Sequence, residues 1–288
     1  MKSLQFFRRK SSSKVSTYGI GNYKIEIPQG HTLPSFQAAN RLYDRFVSVL
    51  GEALPDKVLI VDVGANIGDS AAALCCVGRK KLICIEPAPA FYSLLKRNVE
   101  VLRSRGHEVV CVNKIIGLPN LKGEISETAS SGKLVLAETG MEIHSLDEVI
   151  MPFIGSSSEP ILIKSDTDGC DAEVIASARK MLCQSEPLLF WEAQIDRSSS
   201  IDQYCSAFWL LKGAGYDKFS VFDNFGNLMF ETGVVDTLID VCKYLYTMSA
   251  GQSTRTLYYV DICASTTKRR NLHDRAIEIF RSRYLRAA

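Results

Sequence analysis

The stretch VLIVDVGANIG at residues 58–68 decides the fold of this chain. Its first part, 58–63, is an almost unbroken apolar run, which is typical of a strand buried in a parallel sheet. The run gives way to two glycines and an asparagine, and a helix pattern follows over 67–77. Gly64 and Gly68 allow the backbone to turn sharply and to approach a ligand closely, and the helix would direct its amide end at that ligand. The stretch therefore predicts a strand, a loop and a helix that bind a nucleotide-like cofactor.

The spacing within this loop separates two kinds of nucleotide site. A dinucleotide fingerprint reads GxGxxG, and its second glycine makes room for a pyrophosphate, whereas this chain has Asn66 at that position. A second apolar run ends at Glu86, 22 residues after Gly64, where an acid accepts both hydroxyls of a ribose in either kind of site. The choice rests on Asp62 and the single wide loop, which resemble the S-adenosylmethionine loop of Rossmann-like methyltransferases. A tight strand-to-helix turn without a ligand is the alternative.

Composition and charge favour a globular enzyme of the cytoplasm. The chain has 288 residues, 46% of them apolar, and 34 basic residues against 32 acidic ones, so no overall field recruits nucleic acid. Nine cysteines form no CxxC pair, which is typical of a reducing compartment. No apolar run reaches the roughly 18 to 20 residues of a membrane span, so no transmembrane segment is predicted. The basic segment 1–14 is either a frayed terminus or a contact for an anionic membrane surface.

Strands and helices alternate along the core, as in a parallel sheet with helices on both faces. The patterns predict strands at 58–63, 81–86, 108–116, 160–165 and 187–193, and helices at 68–77, 89–104, 170–183 and 201–213. Two late strands, near 218–222 and 256–263, suggest an antiparallel edge, and a basic helix closes the chain. An N-terminal cap is predicted over 1–55, with its first 15 or so residues disordered, a strand or hairpin at 18–28 and a helix at 35–54. The main domain spans 56–288 and carries an irregular insertion at 117–159, with short strands near 133–137 and 141–146.

A second motif, ILIKSDTDGCDAE at 161–173, places three acids at the end of a strand and the start of a helix. Ligands of open α/β sheets bind at that end of the strands. Asp166, Asp168 and Asp171 would repel one another unless a cation or helix amides compensate their charge. Three interpretations stay open. The acids bind a divalent metal, they cap the helix in solvent, or they bind a cationic cofactor and orient an acceptor hydroxyl.

At this point the chain resembles the FkbM-type methyltransferases, which carry a DxGANxG loop, an EP after the second strand and a later KIDxxGxE/D motif. The corresponding residues are 62–68, Glu86 with Pro87, and 164–171, within a resemblance that spans roughly 30–265. Asn98, the turn at 145–147 and the segment 31–46 extend the likeness. Ser165, Asp168 and Asp171 depart from the usual residues, which leaves the acceptor open.

The resemblance implies a class I, Rossmann-like methyltransferase fold and methyl transfer from S-adenosylmethionine to a hydroxyl of a small molecule or glycan, with a sugar in polysaccharide biosynthesis as the favoured acceptor. A divalent metal is possible but not predicted, and the sequence leaves the oligomeric state open. The expected cofactor-binding residues are Asp62, Gly64, Ala65, Asn66, Gly68, Asp69, Ser70, Glu86, Pro87 and Asp166.

The sulfonium of the cofactor already activates the methyl group, so the protein has to align the acceptor oxygen and remove its proton. Asp166, Asp168 and Glu192 are the predicted catalytic residues, and His144 is a weaker candidate. Two rival hypotheses remain. A nicotinamide-dependent (NAD) oxidoreductase would share the loop and Glu86, and a non-catalytic binding protein would share the fold.

Overall fold

The computed structural model describes residues 15–154, 159–195, 198–249 and 256–285. The basic segment 1–14 and its predicted disorder lie outside these ranges. The strands are β1 (Val15–Ile20), β2 (Tyr23–Pro28), β3 (Leu59–Val63), β4 (Lys81–Ile85), β5 (Glu108–Val112), β6 (Ile115–Ile116), β7 (Lys122–Glu127), β8 (Gly132–Leu136), β9 (Met141–His144), β10 (Ile161–Ser165), β11 (Leu188–Gln194), β12 (Tyr216–Asp223), β13 (Leu228–Thr232) and β14 (Tyr259–Thr266). The helices are α1 (Leu33–Ala39), α2 (Arg45–Ala53), α3 (Asp69–Leu74), α4 (Pro89–Arg103), α5 (Leu146–Ile150), α6 (Asp171–Ala176), α7 (Arg179–Gln184), α8 (Ser198–Gly213), α9 (Val235–Ser249) and α10 (Arg270–Phe280).

An eight-stranded sheet in the order β13-β12-β14-β11-β10-β3-β4-β5 forms the centre of the protein. The five strands from β11 to β5 are parallel, and β14, β12 and β13 are antiparallel. This is the predicted Rossmann-like fold with an antiparallel edge. The chain runs outward from β3 through β4 to β5 and then crosses to β10 on the other side of β3. Such a reversal opens a crevice at the carboxyl ends of β3 and β10, which is where open α/β sheets bind their ligands.

Several elements differ from the sequence prediction. The helix predicted at 35–54 is two helices, because Asn40 is extended and Asp44 has a left-handed backbone with φ 59°. The helix predicted at 170–183 is likewise divided into α6 and α7. The segment between the two late predicted strands contains β13 and α9, so β13 rather than β12 forms the edge of the sheet.

Alternation along the strands divides the core into two parts, one on each face of the sheet. Phe190 of β11 packs in the cluster that contains Phe46 of α2 and Phe280 of α10. Trp191 points to the opposite face and packs with Phe208 of α8. The same alternation places Glu192 on the face of Phe190, towards the N-terminal elements.

The region between β5 and β10 forms a small second sheet in the order β6-β9-β7-β8. The turn between β7 and β8 lies over the end of the central sheet, where it lines the cavity described below. None of the nine cysteines forms a disulfide. Within the described ranges, no helix is both long and apolar enough to cross a lipid bilayer.

Candidate functional site

A cavity of about 870 Å³ lies at the carboxyl ends of β3, β4, β10 and β11. The two motifs of the sequence form its floor, since the glycine loop follows β3 and the acidic motif follows β10. Residues from α1, α2 and the turn between β7 and β8 form the opposite wall. The cavity therefore occupies the crevice that the reversal of strand order creates.

Gly64 brings the cofactor loop against the end of β10. Its φ is +73°, and a Cβ atom at this position would lie 1.8 Å from the carbonyl oxygen of Asp166. The amides of Gly64 and Ala65 both donate to the carbonyl oxygen of Ile85, each at 3.0 Å. Glycine is required here both by the left-handed backbone and by the contact with the neighbouring strand.

Glu86 lies beside this loop and is 5% exposed. Its Oε2 accepts from the amide of Asn66 and its Oε1 from the amide of Ala88, each at 2.8 Å. Burial raises the pKa of the Glu86 carboxyl to about 7, against the opposing effect of the two amides. Each carboxylate oxygen keeps a further lone pair, so Glu86 can accept hydrogen bonds from a ligand in the cavity.

The side chain of Asn66 ties the loop to the opposite wall. Its Nδ2 donates to the carbonyl oxygen of Ser130 at 2.8 Å, and the Ser130 hydroxyl accepts from the amide of Thr32 at 3.0 Å. Asn66 has φ 46°, a left-handed conformation that asparagine tolerates better than most residues. Asn66, which stands where a dinucleotide fingerprint has a glycine, thus links the floor of the cavity to the turn between β7 and β8.

Asp62 supports the loop from behind. It is fully buried, its Oδ2 accepts from the Ser70 hydroxyl at 2.6 Å, and its Oδ1 lies 3.4 Å from Lys164 Nζ. Lys164 also lies 3.4 Å from Asp166 Oδ2. Burial acts to lower the pKa of Lys164, but Asp62, Asp166 and other carboxylates outweigh it and raise this pKa well above its ordinary value. The two motifs are thus joined by a buried ion pair.

The three acids of the second motif have two different roles. Asp171 is fully buried and accepts hydrogen bonds from the Ser165 hydroxyl and the Thr167 amide, so it holds the turn together. Ser165 and Asp171, two of the departures from the usual FkbM residues, are therefore partners of each other. Asp166 and Asp168 face the cavity. Burial, followed by the charge of Asp166, raises the pKa of Asp168 to about 6.

Most of the predicted site residues meet at this cavity. Its lining includes Gly64, Asn66, Asp69, Ser70, Glu86, Pro87, Asp166, Asp168 and Glu192. The lining does not include Asp62, Ala65 or Gly68, which shape the loop. His144 is also outside the lining, and its Nδ1 lies 3.1 Å from Glu148 Oε1.

The structure also brings residues to the site that the sequence analysis missed. Tyr43 and Asp44 reach the cavity from the connection between α1 and α2, and Tyr259 reaches it from β14. Asp261 lies next to Glu192 across the sheet. Alternation in the sequence YVDI pairs Tyr259 with Asp261 on one face, but no local signal connects them to the two motifs. Among the described residues, no group of three or more His, Cys, Asp or Glu side chains is arranged to hold a metal ion.

The sequence model of the FkbM methyltransferase domain matches residues 62–218. The chain belongs to the FkbM methyltransferase family. The FkbM match runs from the cofactor loop through the acidic motif and ends within β12, so Tyr259 and Asp261 lie beyond it. No curated protein sequence matches the chain significantly.

Three solved structures that the chain is similar to have low sequence identity to it. TYW2 of P. horikoshii, solved in complex with MeSAdo, has 12% identity and a TM-score of 0.47 over 88% of this chain and 72% of its own. A precorrin-6y C5,15-methyltransferase of Geobacter metallireducens has 12% identity and a TM-score of 0.38 over 77% and 86%. A SAM-dependent methyltransferase of Aquifex aeolicus has 12% identity and a TM-score of 0.38 over 81% and 96%.

Proposed function

We propose that this FkbM methyltransferase transfers a methyl group from S-adenosylmethionine to a hydroxyl group of a small molecule or glycan. The observation that carries the proposal is the environment of Glu86. Two backbone amides hold this carboxyl group beside the glycine loop. The group lines the cavity, and each of its oxygens can accept a further hydrogen bond. A ribose with two free hydroxyls is a natural partner for such a group at the end of the second core strand.

The residues present suit this cofactor. Gly64 lets the loop lie against the end of β10, and Glu86 offers acceptors for a ribose. We assign the cofactor contacts to the predicted residues that line the cavity, which are Gly64, Asn66, Asp69, Ser70, Glu86, Pro87 and Asp166. Asp62, Ala65 and Gly68 act by shaping the loop. S-adenosylmethionine would supply a methyl group that its positively charged sulfur activates.

The acidic wall of the cavity supports transfer to a hydroxyl. A hydroxyl acceptor loses its proton during the reaction, so a group of suitable proton affinity has to stand close to it. Asp166, Asp168 and Glu192 line the cavity together, and we propose that one of them receives this proton. Two narrower parts of the proposal are a polysaccharide sugar as the acceptor and the cytoplasm as the location. The first rests on the resemblance to FkbM, and the second on nine cysteines that form no disulfide.

Calorimetry tests the cofactor assignment directly. We expect the protein to bind S-adenosylhomocysteine tightly and NAD not at all. Glu86→Ala should weaken S-adenosylhomocysteine binding by about 1 to 3 kcal/mol, because a buried charged hydrogen-bonding group is lost. Glu108→Ala is the matched control, since Glu108 is exposed on the neighbouring strand β5. Binding of NAD alone would favour an oxidoreductase, and binding of neither ligand would favour a non-catalytic protein.

The raised pKa of Glu86, about 7, adds a pH dependence to this experiment. A protonated carboxyl group accepts fewer hydrogen bonds than a carboxylate, so the affinity for S-adenosylhomocysteine should rise between about pH 6 and pH 8. Glu86→Gln keeps one acceptor oxygen but cannot ionise, and its affinity should change less over this interval. An equal pH dependence in the two proteins would remove Glu86 from the ribose site.

A further inference from the structure

We propose that Glu192 and Asp261 form a carboxyl pair that shares one proton, with Glu192 as the residue that receives the proton of the acceptor hydroxyl and Asp261 as the positioning residue that holds Glu192 in this role. The proposal rests on the methyl-transfer function proposed above. Glu192 is one of the three candidate proton acceptors named above. Asp261 lies outside the region that the FkbM domain matches.

The register of the sheet places the two residues directly opposite each other. In the antiparallel pair β11 and β14, Glu192 is directly opposite Asp261 and Gln194 is directly opposite Tyr259. Directly opposite residues have Cβ atoms about 4.5 to 5.5 Å apart, and residues two apart on a strand share a face. Glu192, Gln194 and Tyr259 line the cavity, so this face of the two strands points into it.

Among the described residues, Lys164 is the cation that acts on this pair, and it does so without an ion pair to either carboxyl group. Like charges directly opposite each other in a sheet are destabilising, and a cation or a hydrogen-bond donor normally offsets them. In the part of the chain that the structure describes, neither the Glu192 nor the Asp261 carboxyl group forms an ion pair or accepts a hydrogen bond. The Tyr204 hydroxyl of α8 donates at 3.0 Å to the backbone oxygen of Glu192, not to its carboxyl group. A shared proton, or a donor from the ligand, is then what relieves the repulsion.

The other groups around the pair add to its negative surroundings. The β10 side contributes Lys164, Asp166, Asp168 and Asp171, the connection between α1 and α2 contributes Tyr43 and Asp44, and β14 itself contributes Tyr259. The one cation in this set, Lys164, is already 3.4 Å from both Asp62 and Asp166. Burial first, and the neighbouring carboxylates next, raise the pKa values of Glu192 and Asp261 well above the ordinary range.

Two such carboxyl groups titrate as a unit, and the unit keeps one proton where isolated carboxyl groups would have none. Burial and the nearby Asp166 raise the proton affinity of the Glu192 carboxylate above that of an ordinary glutamate, which suits a proton acceptor. During transfer, the acceptor oxygen bonds to the methyl carbon while the carbon–sulfur bond breaks, and its electron pair stays on the sulfur. The O–H bond of the acceptor breaks, and its proton moves to Glu192. One positive charge on sulfur and one negative charge on the pair disappear together, so the step is balanced.

Carbon-13 NMR of the side-chain carboxyl groups tests the pair without knowledge of the acceptor. The protein is labelled at the glutamate carboxyl carbon, Glu192→Gln identifies the Glu192 signal, and the signal is followed from about pH 4 to pH 9 with S-adenosylhomocysteine present. In the native protein we expect two titration steps, the later one well above the ordinary range of a glutamate. Asp261→Asn should lower the midpoint of Glu192 by at least about one pH unit, because the second negative charge is gone. Asp261→Glu should restore a raised midpoint, and Asp240→Asn, at an exposed site on α9, should change nothing.

A single Glu192 midpoint below about pH 5 in the native protein, or an equal midpoint in the native protein and Asp261→Asn, would overturn the pair. If Asp261→Asn does not fold, the protein is labelled at the aspartate carboxyl carbon instead. The midpoint of Asp261 should then be lower in Glu192→Gln than in the native protein. S-adenosylhomocysteine binding is recorded on the same samples. If S-adenosylhomocysteine binds normally but Glu192 and Asp261 titrate independently, the pair is refuted and the methyltransferase proposal stands. If the two groups titrate together but S-adenosylhomocysteine does not bind, the pair stands and the methyltransferase proposal is refuted.

Discussion

Gly64→Ala tests the central contact of the site, where the cofactor loop passes against the end of β10. The new Cβ atom would lie 1.8 Å from the carbonyl oxygen of Asp166 and 2.8 Å from its carbonyl carbon. Both are backbone atoms that cannot rotate away. The end of β10 is also held by a 3.0 Å hydrogen bond from the Asp166 amide to the carbonyl oxygen of Val63. The substitution must therefore displace the main chain at the junction of the two motifs.

The expected loss of stability has two parts. An alanine at a φ of +73° costs about 1 to 2 kcal/mol, and the reduced freedom of the unfolded chain returns about 0.4 to 1 kcal/mol. Overpacking against the backbone of Asp166 adds about 1 to 3 kcal/mol. Gly30→Ala isolates the first part, because Gly30 has a φ of +86° and no atom within 4 Å of its added Cβ. We expect a loss of about 1 kcal/mol for Gly30→Ala and about 2 to 4 kcal/mol for Gly64→Ala.

Urea unfolding at neutral pH measures both variants under the same conditions. The difference between their unfolding free energies is the cost of the close approach. If Gly64→Ala is no less stable than Gly30→Ala, the loop does not lie against β10 as the structure has it. If the slopes of the two transitions also agree with that of the native protein, the comparison is free of changes in the unfolded state.

Two further substitutions test the charges around the site. Lys164→Met leaves the fully buried Asp62 without its cation, and we expect a loss of about 3 to 5 kcal/mol in urea unfolding, as for a broken buried pair. Lys243→Met, which breaks an exposed pair with Asp240, should cost no more than about 0.5 kcal/mol, and equal losses would contradict a buried pair at Lys164. Burial raises the pKa of Asp171 from 3.8 to about 7, so the folded protein binds this proton more tightly than the unfolded chain does, and stability falls as pH rises through this interval. Asp171→Asn removes that proton, so its stability relative to the native protein should increase from about pH 4 to pH 7, and a constant difference would show that Asp171 ionises normally.

Local patterns were sufficient for much of the fold. The apolar run before Gly64 and the alternation of strands and helices predicted the parallel part of the sheet and its antiparallel edge. The patterns failed in the segment between the two late strands. α9 and β13 lie there, and a tight turn folds β13 back on β12, with Asp223 accepting from the amides of Phe225 and Asn227.

The candidate site shows the same division. The sequence by itself indicated Glu86 and the acidic motif, since their positions after apolar strands place them at one end of a sheet. It also showed two departures from the family pattern, Ser165 and Asp171, without showing that they form a hydrogen bond with each other.

Only the tertiary structure showed that Asp62 faces Lys164 behind the loop, that Asn66 reaches the turn at Ser130, and that Asp261 lies beside Glu192. The physical reason is the way a sheet is assembled. The period of a strand determines which residues share a face, so the sequence contains that information. The order and register of strands far apart in the chain determine which side chains become neighbours across the sheet, and these depend on the packing of the whole molecule.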